Sequence, residues 1–332
     1  MDSKPTLSRK KFQIKVKTIK LLFVLMALVI LTMIVVHPQD PLWARDRDNY
    51  ELYAKYGFGY FDQYFSQGGY LSVISNEPLF ISINGLLGYI FTPDTVVLIL
   101  VGVGYFVTNF VISRENDYSI LPVLMYLLLP QTLKNNVMQT RQGLAVAWYL
   151  FFLTQNNRFF KSFRFFSVFI HTGSAILIVA DIFRSCMRKF NFRKGQMVVS
   201  FAVLSMIIAK VVPTLSQFVG DRRADEYDFL ADSGVSGLAW IFWLFFFVIF
   251  FVISESDQYS DISLLGIIFY LSTYFNFDLS GRAFEFFVPV ILLSLFRQKG
   301  SWEKYVLIFI LMMYAAMGWY QNGGITGWLA TT

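Results

Sequence analysis

Arg141 is the residue whose type and position point most directly to chemistry. It lies between Gln139 and Gln142, just ahead of the apolar run 144–153. A guanidinium is always charged, and holding it at the end of a membrane helix is costly unless a partner neutralises it. We therefore expect Arg141 to bind an anion such as a phosphate. About thirty residues later, His171 interrupts a second apolar run.

The composition is that of a membrane protein. The 332 residues are 56% hydrophobic and 15% charged, whereas soluble domains are about half apolar and about a quarter charged. The net charge of +6 does not indicate nucleic-acid binding, because the basic residues lie at the ends of apolar runs, as in cytoplasmic loops. With one cysteine and two histidines, we expect neither a metal site nor another cofactor.

Successive apolar runs predict an all-α polytopic bundle of about ten or eleven membrane segments. Inside lipid, backbone polar groups must be paired within the protein, so each run is expected to be helical. No repeat or linker divides the chain, which predicts a single domain over 1–332. The runs lie near 20–36, 78–92, 95–112, 119–133, 142–155, 163–183, 196–213, 237–254, 262–277, 282–296 and 303–320.

Loop charges predict the orientation of the chain. The basic N-terminus is expected in the cytoplasm. The hydrophilic loops 37–77 and 214–236 mix acidic and basic residues, and we place both on the outer face. The run 163–183 separates two basic clusters and is long enough for one crossing but not for two. Because a single crossing would place one basic cluster on the outer face, we expect instead a re-entrant hairpin with His171-Thr172-Gly173 at its tip. A second re-entrant segment is expected from Glu77 onward.

With these assignments, the outer ends of two helices and both outer loops share one face. The two helices begin near Arg141 and Arg282. The sequence therefore predicts one candidate site on the outer side of the membrane.

Several short motifs follow one another along most of the chain. They are Asp48-Asn49-Tyr50 with Tyr53 and Tyr56, Glu77-Pro78-Leu79-Phe80, Arg141-Gln142-Gly143-Leu144-Ala145, Phe169-Ile170-His171-Thr172-Gly173-Ser174-Ala175, and Arg282 at the start of a late helix. In its order, this pattern resembles the Wzy/EpsG-type polysaccharide polymerases of bacterial envelopes.

The resemblance implies an enzyme with a fold similar to the C-type membrane glycosyltransferases, in the bacterial inner membrane with its site facing outward. It would transfer a growing glycan from undecaprenyl pyrophosphate to a new lipid-linked repeat unit, in an inverting, metal-independent reaction. The product would be O-antigen, capsule or exopolysaccharide. The implied partners are the lipid-linked donor and acceptor, the lipid bilayer, a chain-length regulator and a flippase, with no nucleic acid.

This reaction would need a cationic clamp for the pyrophosphate. We expect Arg141 and Arg282 to supply it, because the arginine fork pairs bidentately with phosphate oxygens. Gln142 is expected to contribute a further contact to the substrate. Alternatively, each arginine could extend to the lipid headgroups or pair with an acid such as Asp278.

The reaction would also need a base near the attacking hydroxyl. The catalytic candidates are Glu77, Asp48 and His171. Each has a structural alternative: Glu77 could complement the helix that begins at Pro78, Asp48 could be ion-paired with neighbouring arginines, and His171 could hold the hairpin by a hydrogen bond.

A transporter that flips lipid-linked oligosaccharide is the alternative function. Such a protein would be expected to show two related halves, and no internal repeat is apparent in this sequence.

Overall fold

A computed structural model describes residues 7–36, 47–219, 237–298, 300 and 302–321. Every regular element in these ranges is helical, in agreement with the predicted all-α class. The α-helices are α1 (Leu7–Val36), α2 (Arg47–Tyr56), α3 (Gly59–Ser75), α4 (Pro78–Gly88), α5 (Pro93–Arg114), α6 (Leu121–Leu128), α7 (Pro130–Leu133), α8 (Thr140–Leu153), α9 (Arg158–Ser162), α10 (Ala175–Lys189), α11 (Lys194–Val219), α12 (Leu238–Ile253), α13 (Gln258–Thr273), α14 (Ser280–Glu285), α15 (Val288–Arg297) and α16 (Trp302–Gln321).

Within the described ranges, three helical stretches are long and apolar enough to cross a membrane: Val16–Val36, Pro93–Arg114 and Lys194–Val211. Two shorter apolar helices, α4 and α12, lie below that length. These features support a membrane protein. The expected total of about ten or eleven membrane segments is not confirmed.

The long apolar runs of the sequence are divided where the backbone cannot continue a helix. The run 119–133 breaks at Leu129, which is extended (ψ 118°) ahead of Pro130, as a residue before proline prefers. Proline also excludes a helical bond to the carbonyl four residues earlier. That carbonyl, on Tyr126, accepts a hydrogen bond from the Thr132 hydroxyl instead.

The run 163–183 is likewise not one helix. A 3-10 segment, Phe163–Phe169, is followed by extended backbone at His171 (φ −152°, ψ 119°) and a second 3-10 turn before α10 begins. The interruption lies next to Gly173, where the tip of a hairpin was expected. The re-entrant path through the bilayer is not confirmed and stays a prediction.

The predicted outer loop 37–77 contains two helices, α2 and α3. Tyr50, Tyr53 and Ala54 are buried on α2, at the i, i+3, i+4 spacing of one helix face. The polar average composition of this stretch therefore did not predict that α2 packs against the rest of the protein. Residues 37–46 of this loop, and 220–236 of the second one, lie outside the described residues.

α2 and α4 approach closely because glycines line their contact. A Cβ atom on Gly88 would lie 1.9 Å from the carbonyl oxygen of Ala54, and one on Gly57 would lie 2.4 Å from the Cα of Gly85. Neither contact leaves room for a methyl group. This approach sets the distance between Tyr50 on α2 and the beginning of α4.

We expect Gly88→Ala to destabilise the protein by about 1–3 kcal/mol, the usual range for overpacking, because its methyl group would meet backbone. The measurement is thermal unfolding of the purified protein in detergent. Gly59→Ala is the matched control, since a Cβ there meets nothing within 4 Å. Equal melting temperatures for the two variants would contradict the tight α2–α4 contact.

Candidate active site

Glu77 lies at the start of α4 in an unusual backbone conformation. Its φ of 59° and ψ of 55° are left-handed, a region that costs a residue other than glycine about 1–3 kcal/mol. It precedes Pro78 and is 5% exposed. Strain of this kind persists only where surrounding contacts enforce it.

Those contacts are two short bonds, one to each carboxylate oxygen of Glu77. Arg141 Nη1 donates to Oε2 over 2.5 Å, and His171 Nδ1 lies 2.5 Å from Oε1. Arg141 comes from the first turn of α8, and His171 from the extended break before α10. Three distant parts of the chain therefore meet at one buried carboxylate, which with its two partners we call the Glu77 cluster.

Aromatic rings surround the Glu77 cluster. The Arg141 guanidinium lies 5.4 Å from the ring centroid of Tyr50 and 6.0 Å from that of Phe80, within reach of a cation–π attraction. His171 stacks on Phe286 with 5.6 Å between ring centroids. The rings limit access of water and thereby strengthen the charge interactions among the three residues.

A second buried carboxylate, Glu285, lies beside the Glu77 cluster. Lys134 Nζ lies 3.3 Å from its Oε1, and the side chain of Gln142, next to Arg141 in the chain, lies near the same carboxylate. The following residue is Phe286, which stacks on His171. Two links therefore join Glu285 to the Glu77 cluster. Gln142 is the chain neighbour of Arg141, and Phe286, the chain neighbour of Glu285, stacks on His171.

The helix break explains how Glu285 is positioned. Pro289, in the first turn of α15, excludes a helical bond to the carbonyl of Glu285. The Asn135 side-chain amide donates to the Glu285 carboxylate at Oε2 over 2.9 Å. Asn135 and Lys134 belong to a π-helical turn, Lys134–Met138, an element frequent at functional sites.

The structure brings together three of the six predicted site residues and separates the others. Glu77, Arg141 and His171 form one cluster, whereas Gln142 contacts Glu285. Asp48 on α2 and Arg282 on α14 are exposed. Three further charged residues of the two outer loops, Asp46, Arg222 and Arg223, lie outside the described residues.

Sequence reasoning overlooked Glu285, Lys134 and Asn135. One signal could have identified Glu285, which is an acidic residue within the otherwise apolar run 282–296. Acids inside such a run are rare and usually face the protein interior. Lys134 and Asn135 gave no comparable signal, because they follow Pro130 and lie just beyond the end of the apolar run 119–133.

Comparison with known proteins supplies one match. A family model described as the EpsG family matches residues 48–325. The matched range includes the Glu77 cluster, Glu285 and every described helix from α3 to α16. No curated protein and no solved structure shows a significant match.

We expect Glu77→Gln to lower the free energy of unfolding by about 3–5 kcal/mol, the usual effect of breaking a buried ion pair, since it leaves the Arg141 charge uncompensated. Chemical or thermal unfolding in detergent measures this. The control is Asp117→Asn, the same change in an exposed pair with Lys17, which should leave stability unchanged.

A double variant tests whether the loss comes from the pair itself. Adding Arg141→Met to Glu77→Gln removes the uncompensated charge, so the double variant should lose less stability than the two single variants together. Strict additivity would show that Glu77 and Arg141 do not interact.

Proposed function

This chain belongs to the EpsG family, and from that premise we propose that it polymerises lipid-linked oligosaccharide repeat units into a polysaccharide. Membership of the family supports a polysaccharide polymerase of the glycosyltransferase type. The observation that carries the chemical proposal is the pairing of His171 Nδ1 with the buried Glu77 carboxylate, because it gives the site an oriented base.

In this mechanism, His171 accepts the proton of the attacking hydroxyl. A neutral histidine that donates from Nδ1 to Glu77 carries its unprotonated nitrogen at Nε2, as the hydrogen bond on one nitrogen sets the tautomer. After proton transfer, the Glu77 carboxylate stabilises the imidazolium. Carboxylate, imidazole and hydroxyl then stand in the order used by hydrolytic triads.

The bonds change in one displacement. The acceptor oxygen, losing its proton to Nε2, attacks the anomeric carbon of the donor sugar. The bond from that carbon to the phosphate oxygen breaks, and the undecaprenyl pyrophosphate leaves with the electron pair. Attack opposite to the leaving group inverts the anomeric configuration.

We assign the leaving pyrophosphate to Arg141 and Arg282. Arg141 belongs to the Glu77 cluster, and the five N–H donors of a guanidinium match the oxygens of a phosphate. Arg282 is exposed and can orient toward a phosphate when a donor binds. Cationic groups stabilise the charge that develops on the leaving oxygen. Asp48 is exposed on α2, and we give it no step.

The genetic test is a deletion strain complemented with variants. Loss of long-chain glycan with accumulation of single lipid-linked repeat units on the outer face is expected for the deletion; units retained on the inner face would indicate a flippase. Arg141→Lys, which keeps the charge but not the fork, and Arg282→Ala should each fail to restore long chains. Arg158→Ala, at another exposed arginine, is the control.

The second test isolates the base. His171→Asn retains an amide that can donate to Glu77 but accepts no proton, so the polymerisation rate should fall by about 10²–10⁴ while the melting temperature stays near that of the wild type. Rates are measured in membranes with purified lipid-linked repeat units. A variant with an undiminished rate would exclude His171 as the base.

A further inference from the structure

A cavity of about 100 Å³ opens on the side of Glu285. Its wall includes four aromatic rings, two polar side chains and one exposed glycine. A single water needs only about 10–15 Å³ of such space, so the cavity accommodates a group several times larger. The residues that characterise it are Gln131, Trp243, Tyr270, Gly281, Glu285 and Tyr314.

The aromatic rings of the wall pack against neighbouring rings. The rings of Trp243 and Tyr270 lie 4.5 Å and 4.7 Å from the ring centroid of Phe284. Phe242 stacks on Tyr314 at 4.4 Å. Such packing holds the ring surfaces in place before any ligand arrives, which lowers the cost of binding.

The polar part of the wall consists of hydrogen-bonding groups. Gln131 Nε2 donates to the Tyr314 hydroxyl over 3.0 Å, and the Glu285 carboxylate is the second polar side chain of the wall. An apolar pocket with a few convergent polar groups is the usual form of a ligand site. A sugar ring matches it, because its C–H face packs on aromatic rings while its hydroxyls bond to carboxylate and amide groups.

Other ligands of the proposed reaction match less well. A polyprenyl chain would cover the Glu285 carboxylate and the Gln131 amide without bonding to them, which is unfavourable. A phosphate would meet the negative charge of Glu285. The cationic groups assigned to phosphate, Arg141 and Arg282, are absent from the wall of this cavity.

The cavity also lies where a substrate sugar is needed. Glu285 forms part of its wall, lies near the side chain of Gln142 beside Arg141, and precedes the ring that stacks on His171. The cavity wall is therefore linked to the Glu77 cluster through Glu285 and the Phe286 ring that follows it.

We propose that this cavity is a subsite for one sugar ring of the glycan substrate, with Glu285 and Gln131 bonding its hydroxyls and Tyr270 and Trp243 forming its apolar wall. The assignment rests on the proposed function, since it identifies the sugar-binding part of the same site. Lys134 then acts as a positioning residue that holds the Glu285 side chain through its 3.3 Å contact.

Gly281 offers a way to fill the subsite without disturbing the fold. It lines the cavity, and a Cβ atom there meets nothing within 4 Å. Gly281→Leu should raise KM for lipid-linked repeat units about tenfold, equivalent to about 1.4 kcal/mol of binding free energy, with a smaller change in kcat, and should shorten the glycan chains. Gly59→Leu is the control, at another exposed glycine with open space.

Gln131→Leu is the second variant and removes a polar group rather than space. It should also raise KM.

A direct assay uses oligosaccharides released by partial hydrolysis of the host polysaccharide. Saturation-transfer NMR with purified protein in detergent should detect their binding to the wild type and to Gly59→Leu, but not to Gly281→Leu.

The failures of the two proposals are distinguishable. Wild-type KM, chain length and oligosaccharide binding in both Gly281→Leu and Gln131→Leu would overturn the subsite, while glycan loss in the deletion strain would still support the polymerase. A deletion strain with normal polysaccharide would instead overturn the polymerase, and binding abolished by Gly281→Leu would still support a sugar site.

Discussion

The buried carboxylate of Glu77 is the constraint on which the organisation of this site depends. A carboxylate with so little exposure is stable only when it is paired, and Glu77 has a cationic guanidinium on one oxygen and an imidazole on the other. Satisfying it requires α4, the first turn of α8 and the break at His171 to converge. The left-handed backbone of Glu77 is held by that convergence, and the close α2–α4 contact brings Tyr50 against the same group.

The two buried carboxylates are neutralised by different means, which suits different tasks. Glu77 is held by a planar guanidinium and a ring, both with few accessible orientations and both packed on aromatic side chains. Glu285 is held by a lysine on a flexible stem and by neutral amides. The first arrangement keeps a base oriented, whereas the second leaves a carboxylate that can bond a polar ligand. In the proposed mechanism, Glu77 therefore orients the proton-accepting His171, while the adjacent Glu285 bonds the sugar.

Hydropathy predicted most of the helices because lipid and protein interior both demand apolar, internally bonded segments. It failed where local backbone rules prevailed over composition. Pro130 and Pro289 divide runs that looked continuous, and the extended backbone at His171 divides another. It also failed for α2, whose tyrosines supply a buried face despite a polar average. Hydropathy averaged over a window of residues is insensitive to a single interrupted backbone hydrogen bond and to the spacing of apolar residues on one helix face.

By itself, the sequence determined the membrane class, the helical content and the residues whose charge is too costly to remain without a partner. Arg141, Glu77 and His171 were identifiable on that ground, because a charge or an imidazole in an apolar setting requires a reason. Only the tertiary structure decided which partners they have. Glu77 is 64 residues from Arg141 and 94 from His171, and pairings over such separations depend on how helices pack, which no local pattern encodes. The same packing buried Glu285 beside them and left Asp48 and Arg282 at the surface.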